Sequence, residues 1–165
     1  MTQDAGPRKW AVTGDYGFAG RYLTAELLER GIEVTNVTNH PDRPHPFGDR
    51  VRTAPMDFGN PVTLVQTLTD VDTLYNSYYI RYPHRTATFE STVNNTRVLI
   101  ASAVEAGVKR IVHVSVIGAD RNNHLAYFRG KDEQERIVTD SGISYATLRP
   151  TWIFGIGDVL TTDIA

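Results

Sequence analysis

The chain has 165 residues, 41% of them hydrophobic and 22% charged, enough to bury the core of one domain spanning residues 1–165. A formal net charge of −2 gives no basic field to gather a nucleic-acid backbone, and a sequence without cysteine excludes disulfide and thiol chemistry. No apolar run approaches the length of a membrane span, and Met1 to Lys9 carry an acid, a proline and no apolar h-region, so residues 1–8 read as a flexible lead-in and the cytoplasm is the expected location.

The first predicted strand is the short apolar run from Trp10 to Thr13. It breaks into Gly14, Gly17 and Gly20, after which Leu23, Leu27 and Leu28 recur at helical spacing until Gly31. Strand, glycine turn and helix in this order suit a pyrophosphate. Gly14 can take positive φ, Gly17 removes a side chain from the phosphate path, Gly20 lets helix and strand pack closely, and the helix N-terminus offers unpaired N–H groups. Tyr16 and Phe18 lie inside the same loop.

Ile32 to Val37 is a β-branched run typical of a buried strand, followed by a loop with prolines at 41, 44 and 46. The end of such a second strand faces the adenosine ribose, where an acid favours NAD and a base NADP. Thr38, Asn39 and His40 stand there instead, so the missing acid favours NADP, with Arg43 or His40 near a 2′-phosphate.

Val51 to Asp57 supplies a third strand broken by Pro55, and Asn60-Pro61 opens a helix with Val62, Leu64, Val65 and Leu68 as its apolar side. Asp72 to Ser77 is the fourth strand, and Tyr78 to Arg85 an aromatic, basic loop. A long helix is expected from Thr86 to Ala106 with Phe89, Val93, Ile100 and Val104 on one side, then a strand from Arg110 to Ile117, a helix from Tyr127 to Thr139, and a sixth strand from Ser144 to Arg149. This alternation predicts an α/β, Rossmann-type doubly wound parallel sheet in three layers. The five histidines show no metal-ligand spacing, so no metal is expected, and no G-x-S-x-G elbow supports a serine hydrolase.

Six motifs in order carry a resemblance: Thr13-Gly14-Asp15-Tyr16-Gly17-Phe18-Ala19-Gly20, Asp57, Val93-Asn94, Ile111 to Ser115, Tyr127-Phe128-Arg129-Gly130-Lys131 and Leu148-Arg149-Pro150. Together they resemble the extended and atypical branches of the short-chain dehydrogenase/reductase superfamily, near the NAD-dependent epimerase/dehydratase group. The resemblance implies an NAD or NADP cofactor with its pyrophosphate on Gly14, Gly17 and Gly20, Asp57 on the adenine amino group, and Asn76 and Ser77 against the riboses. Asn94 would anchor the long helix to the neighbouring strand. Tyr127 and Lys131, at i and i+4, would be the acid–base pair, the lysine lowering the tyrosine pKa and bonding the nicotinamide ribose.

Two departures accompany the likeness. Ser115 is followed by Val116 and Ile117, so it is either the hydroxyl that polarises a substrate carbonyl or a strand-end serine touching the cofactor. The family builds its substrate pocket after the sixth strand, and here that part is largely missing, residues 158–165 being the start of an incomplete segment. Two functions therefore stay open: hydride transfer on a carbonyl, alcohol or sugar-nucleotide substrate, or a dinucleotide-binding sensor or scaffold without catalysis. An exposed apolar face left by the short C-terminus would favour a homodimer.

Overall fold

The computed structural model describes residues 8–157, and the expectations for residues 1–7 and 158–165 lie outside the described residues. The elements follow in the order β1 (Lys9–Thr13), α1 (Phe18–Glu29), β2 (Glu33–Thr38), a short 3-10 turn (Gly48–Arg50), β3 (Val51–Pro55), α2 (Pro61–Leu68), β4 (Thr73–Asn76), α3 (Phe89–Glu105), β5 (Arg110–Val114), α4 (Ala126–Thr139) and β6 (Ser144–Leu148). All pairings are parallel, in the order β3-β2-β1-β4-β5-β6. This is the Rossmann-type α/β fold expected from the alternation. The direction of winding reverses between β1 and β4, and the crevice outside the C-terminal ends of those strands is where such sheets receive ligands.

Alternation along β1 divides the core. Ala11 joins Leu64, Leu68, Leu74, Leu99, Ile111 and Val138 in one cluster, and Val12 joins Leu27, Ile32, Val34 and Val51 in the other. Right-handed crossovers explain the partition: α1 covers one face of the sheet and α2, α3 and α4 cover the other. Among the exposed side chains are Tyr145 and Leu148 of β6 and, beyond it, Trp152, Phe154 and Ile156.

Three local expectations are corrected. Pro55 does not break β3 but ends it: β3 is an edge strand, where a residue without an N–H is tolerated. Helix α3 begins at Phe89, because Thr88 and Ser91 form a reciprocal capping box, while His84 and Ala87 pair across a tight turn before it. Asn94 is exposed and hydrogen-bonded by Arg97, so it does not anchor the helix; Asn95, donating to the Tyr78 hydroxyl at 2.9 Å, faces inward instead.

His113 on β5 is a packed core residue, fully buried, with Nδ1 facing the Asn76 amide nitrogen at 3.3 Å and Nε2 without a partner among the described residues. Burial, seconded by the Lys131 charge, lowers its pKa from 6.5 to about 4. The unfolded chain therefore binds the proton first, and the stability carried by neutral His113 is lost as pH falls from 6.5 towards 4. That loss amounts to about 3 kcal/mol. Urea unfolding across this window should show the stability of the unaltered chain falling relative to His113→Asn by up to that amount.

Candidate functional site

The glycine loop is built by close contacts. Gly14 has φ +74°, and a Cβ there would lie 2.7 Å from Ser77 Oγ, which itself donates to the Gly14-preceding carbonyl of Thr13 at 2.5 Å. A Cβ on Gly20 would lie 2.3 Å from Gly14 O and 2.5 Å from Asp15 Cα, so the start of α1 rests directly on the end of β1. Gly17 is the N-cap of α1, with no side chain capping the helix and no acid in its first turn. Uncapped N–H groups at the positive end of a twelve-residue helix suit an anion.

From this turn a cleft of about 390 Å³ runs along the C-terminal ends of the strands, with Phe18, Ser77, Ser115, Tyr127, Lys131 and Trp152 among its walls. Three catalytic candidates and two cofactor candidates named from sequence thus meet in one cavity. Lys131 is only 4% exposed; its ammonium donates to Val114 O at 3.0 Å and lies 4.4 Å from the centre of the Tyr79 ring. Burial lowers its pKa from 10.5 to about 8, with Glu135 pulling the other way. Ser115 Oγ is buried without a partner among the described residues.

The expected effect of Lys131 on Tyr127 is corrected. The Tyr127 phenol is shifted upward, because burial outweighs the Arg81 charge. Between the two residues' side chains stands a third, Tyr79 of the aromatic loop after β4. Tyr79 donates to Tyr127 O at 3.0 Å, packs edge-on against its ring at 5.3 Å, and presents its face to the Lys131 ammonium. Gly130 makes room for it: a Cβ there would sit 2.1 Å from the Tyr79 hydroxyl. Glycine inside a helix costs about 1 kcal/mol relative to alanine, so this contact replaces helix propensity with packing.

Helix α4 buries a polar face, Lys131, Gln134 and Glu135 together with Gly130 and Val138. Gln134 donates to Tyr78 O at 2.9 Å and to Thr96 Oγ1 at 2.5 Å, binding α4 to α3 and to the end of β4. Burial pushes the Glu135 carboxyl up, but the paired Arg149 guanidinium, seconded by the nearby Ser115 hydroxyl and by His113, leaves the group below its usual range.

The remaining named residues lie elsewhere. Asn76 is fully buried, its amide engaged by Thr13, Tyr78 and His113. Asn39 is exposed at the end of β2, and Asp57 accepts Gly59 N–H at 2.9 Å in its own turn. Arg43 lies over the Tyr16 ring at 4.7 Å, with the Tyr16 hydroxyl donating to its carbonyl at 2.6 Å. Among the described residues no group of three or more His, Asp or Glu is arranged to hold a metal, and no helix is long and apolar enough to cross a membrane.

A family model described as NAD(P)H-binding matches residues 14–158, from the first glycine of the loop past β6. The chain belongs to the NAD(P)H-binding family. The 3-beta-hydroxysteroid dehydrogenase of Mycolicibacterium neoaurum is 27% identical over 89% of this chain and 48% of its own length. The UDP-N-acetylglucosamine 4-epimerase of Bacillus cereus superposes with a TM-score of 0.73 at 20% identity, over 91% of this chain and 55% of that one. The Citrobacter sp. triphenylmethane reductase complexed with NADP(H) gives 0.70 at 20% identity, over 86% and 48%. Membership makes NAD or NADP the cofactor of this domain, and the chain spans about half the length of these relatives.

Gly20→Ala tests the loop geometry. All three atoms that the new methyl would meet are backbone, so the turn itself must move. Thermal unfolding should show a loss of about 1–3 kcal/mol, the usual range for overpacking, and calorimetry a weakened affinity for NADPH.

Proposed function

We propose that this chain is the cofactor-holding part of an NAD(P)-dependent oxidoreductase or epimerase of the short-chain type, acting on a carbonyl, alcohol or sugar-nucleotide substrate. The observation that carries the reading is the single cleft joining the uncapped start of α1 to Ser115, Tyr127 and Lys131. The close packing that a Cβ at Gly14 or Gly20 would disrupt sets the uncapped start of α1 against the end of β1, where a diphosphate would lie.

In this reading the loop N–H groups hold the diphosphate, Asp57 and Asn39 meet the adenosine, and Ser77 with the neighbouring Asn76 orders the ribose end. Arg43 favours the phosphorylated cofactor, NADP, over NAD. When bound, the dinucleotide supplies or accepts a hydride at the nicotinamide. Tyr127 moves the proton. Its burial keeps the phenol protonated at neutral pH, the state needed to donate to a carbonyl oxygen as it becomes an alcohol; the reverse direction needs the phenolate that this donation leaves. Ser115 is the second donor toward the same oxygen. Lys131 bonds the nicotinamide ribose and supplies fixed positive charge in a dry cleft, where charge on a developing oxyanion is most strongly favoured. A cytoplasmic location and self-association through the exposed apolar side chains of β6 complete the reading.

A second reading, a dinucleotide-binding sensor or scaffold without catalysis, is favoured by one specific feature: the Lys131 ammonium is already engaged by Val114 O and the Tyr79 ring. Tyr127→Phe separates the two. In the enzymatic reading, cofactor oxidation against a panel of ketones, aldehydes and sugar nucleotides falls by about 10²–10⁴-fold while NADPH affinity is retained. Unaltered turnover would remove Tyr127 from the chemistry, and absence of turnover in the unaltered chain across the panel would favour the sensor.

A further inference from the structure

The segment between β2 and β3 is folded down onto the glycine loop by a buried pair that the dinucleotide reading does not use. Asp15, between Gly14 and Tyr16, and His45, from the proline-rich loop, meet at 2.6 Å between Oδ2 and Nε2 with side chains 0% and 4% exposed. The Phe47 N–H donates to His45 Nδ1 at 3.2 Å, so the ring proton resides on Nε2 and His45 donates to the carboxylate. Asp15 Oδ1 is buried without a partner among the described residues, and burial pushes the carboxyl upward against the His45 hydrogen bond. A half-satisfied buried carboxylate is costly anywhere, and more so in a turn shaped to receive a diphosphate.

What the pair holds in place explains its presence. The His45 ring packs between Tyr16 at 5.3 Å and Phe47 at 5.6 Å. The other side of this assembly carries Arg43, its backbone carbonyl held by the Tyr16 hydroxyl and its guanidinium laid over the Tyr16 ring. Arg43 forms no ion pair among the described residues. The end of β2 offers no carboxylate to bond a ribose 2′-hydroxyl, since Thr38, Asn39 and His40 occupy it. An unpaired guanidinium fixed beside the phosphate loop is a preorganised anion receptor; the same side chain on an untethered loop must be ordered by the ligand, which weakens binding.

We infer that Asp15 and His45 form a positioning latch that fixes Arg43 beside the phosphate loop, and that this latch selects a dinucleotide bearing a ribose 2′-phosphate over one bearing a free 2′-hydroxyl. The inference rests on the dinucleotide-binding reading above and deepens it.

Calorimetric titration of the full chain with NADPH and with NADH tests it in the unaltered protein, Asp15→Ala, Asp15→Asn, His45→Ala and Arg43→Ala. Asp15→Ala removes the buried charge together with the latch and so is the milder loss, whereas His45→Ala strands the carboxylate. The unaltered chain should prefer NADPH by about tenfold or more, and Asp15→Ala should bring the ratio down to that of Arg43→Ala chiefly by weakening NADPH. Asp15→Asn, whose amide oxygen still accepts the His45 proton, should keep most of the preference. Amide exchange over residues 39–50, without nucleotide, should be faster in Asp15→Ala and in His45→Ala. Equal weakening of both nucleotides, or an unchanged ratio in Asp15→Ala, would overturn the latch as a selector. Binding of neither nucleotide by the unaltered chain would overturn the dinucleotide reading and the selectivity with it, while the exchange rates would still report whether the pair tethers the loop.

Discussion

The start of α1 lies against the end of β1 at backbone-to-backbone distance, and the possible chemistry of the chain follows from that contact. With no side chain at Gly20, the helix axis can point its first N–H groups into the crevice where the sheet reverses direction. Ser77, at the end of β4, closes the other side by bonding the Thr13 carbonyl, so β1, β4 and α1 share one junction. Everything else in the site is placed relative to this junction, because β5 and α4 are registered against β4.

Helix α4 shows how a polar sequence is held against a sheet. Its buried face consists largely of groups that need partners, and other parts of the chain supply most of them: Val114 O for Lys131, Tyr78 O and Thr96 for the Gln134 amide nitrogen, Arg149 for Glu135, with Gln134 Oε1 alone on this face left without a partner among the described residues. Such a network contributes little net stability compared with apolar packing, but it fixes the register of the helix against β5. Tyr79 locks the same helix from its N-terminal side, in the space left by Gly130. The candidate proton donor and the candidate ribose ligand therefore sit on one rigid surface.

Much of this was legible in the chain. The β-branched runs, the glycine loop and the stop at Gly31 mark strands and helices to within a few residues, since period and turn chemistry are local properties. The convergence of Phe18, Ser77, Ser115, Tyr127 and Lys131 on one cleft agrees with their order on the elements. What escaped was tertiary. Asn94 and Asn95 are adjacent and chemically identical, and only the rotation of α3 decides which faces the interior. The roles of Tyr78 and Tyr79 depend on partners 17 to 56 positions away. Asp15 and His45 are 30 residues apart, and the one local sign was an acid in a turn shaped for an anion. The sense of the Tyr127 shift also depends on burial, which spacing along a helix does not reveal.

The central claim is that an anionic dinucleotide rests on the N-terminus of α1. Amide chemical shifts of the isotopically labelled chain, followed during titration with NADPH, test it most directly. The account predicts that the signals of Gly14, Gly17, Phe18, Ala19 and Gly20 move first and furthest, accompanied by those lining the cleft around Lys131. Shifts confined to the outer surface of α3 and α4, or an unchanged spectrum at millimolar NADPH, would contradict it.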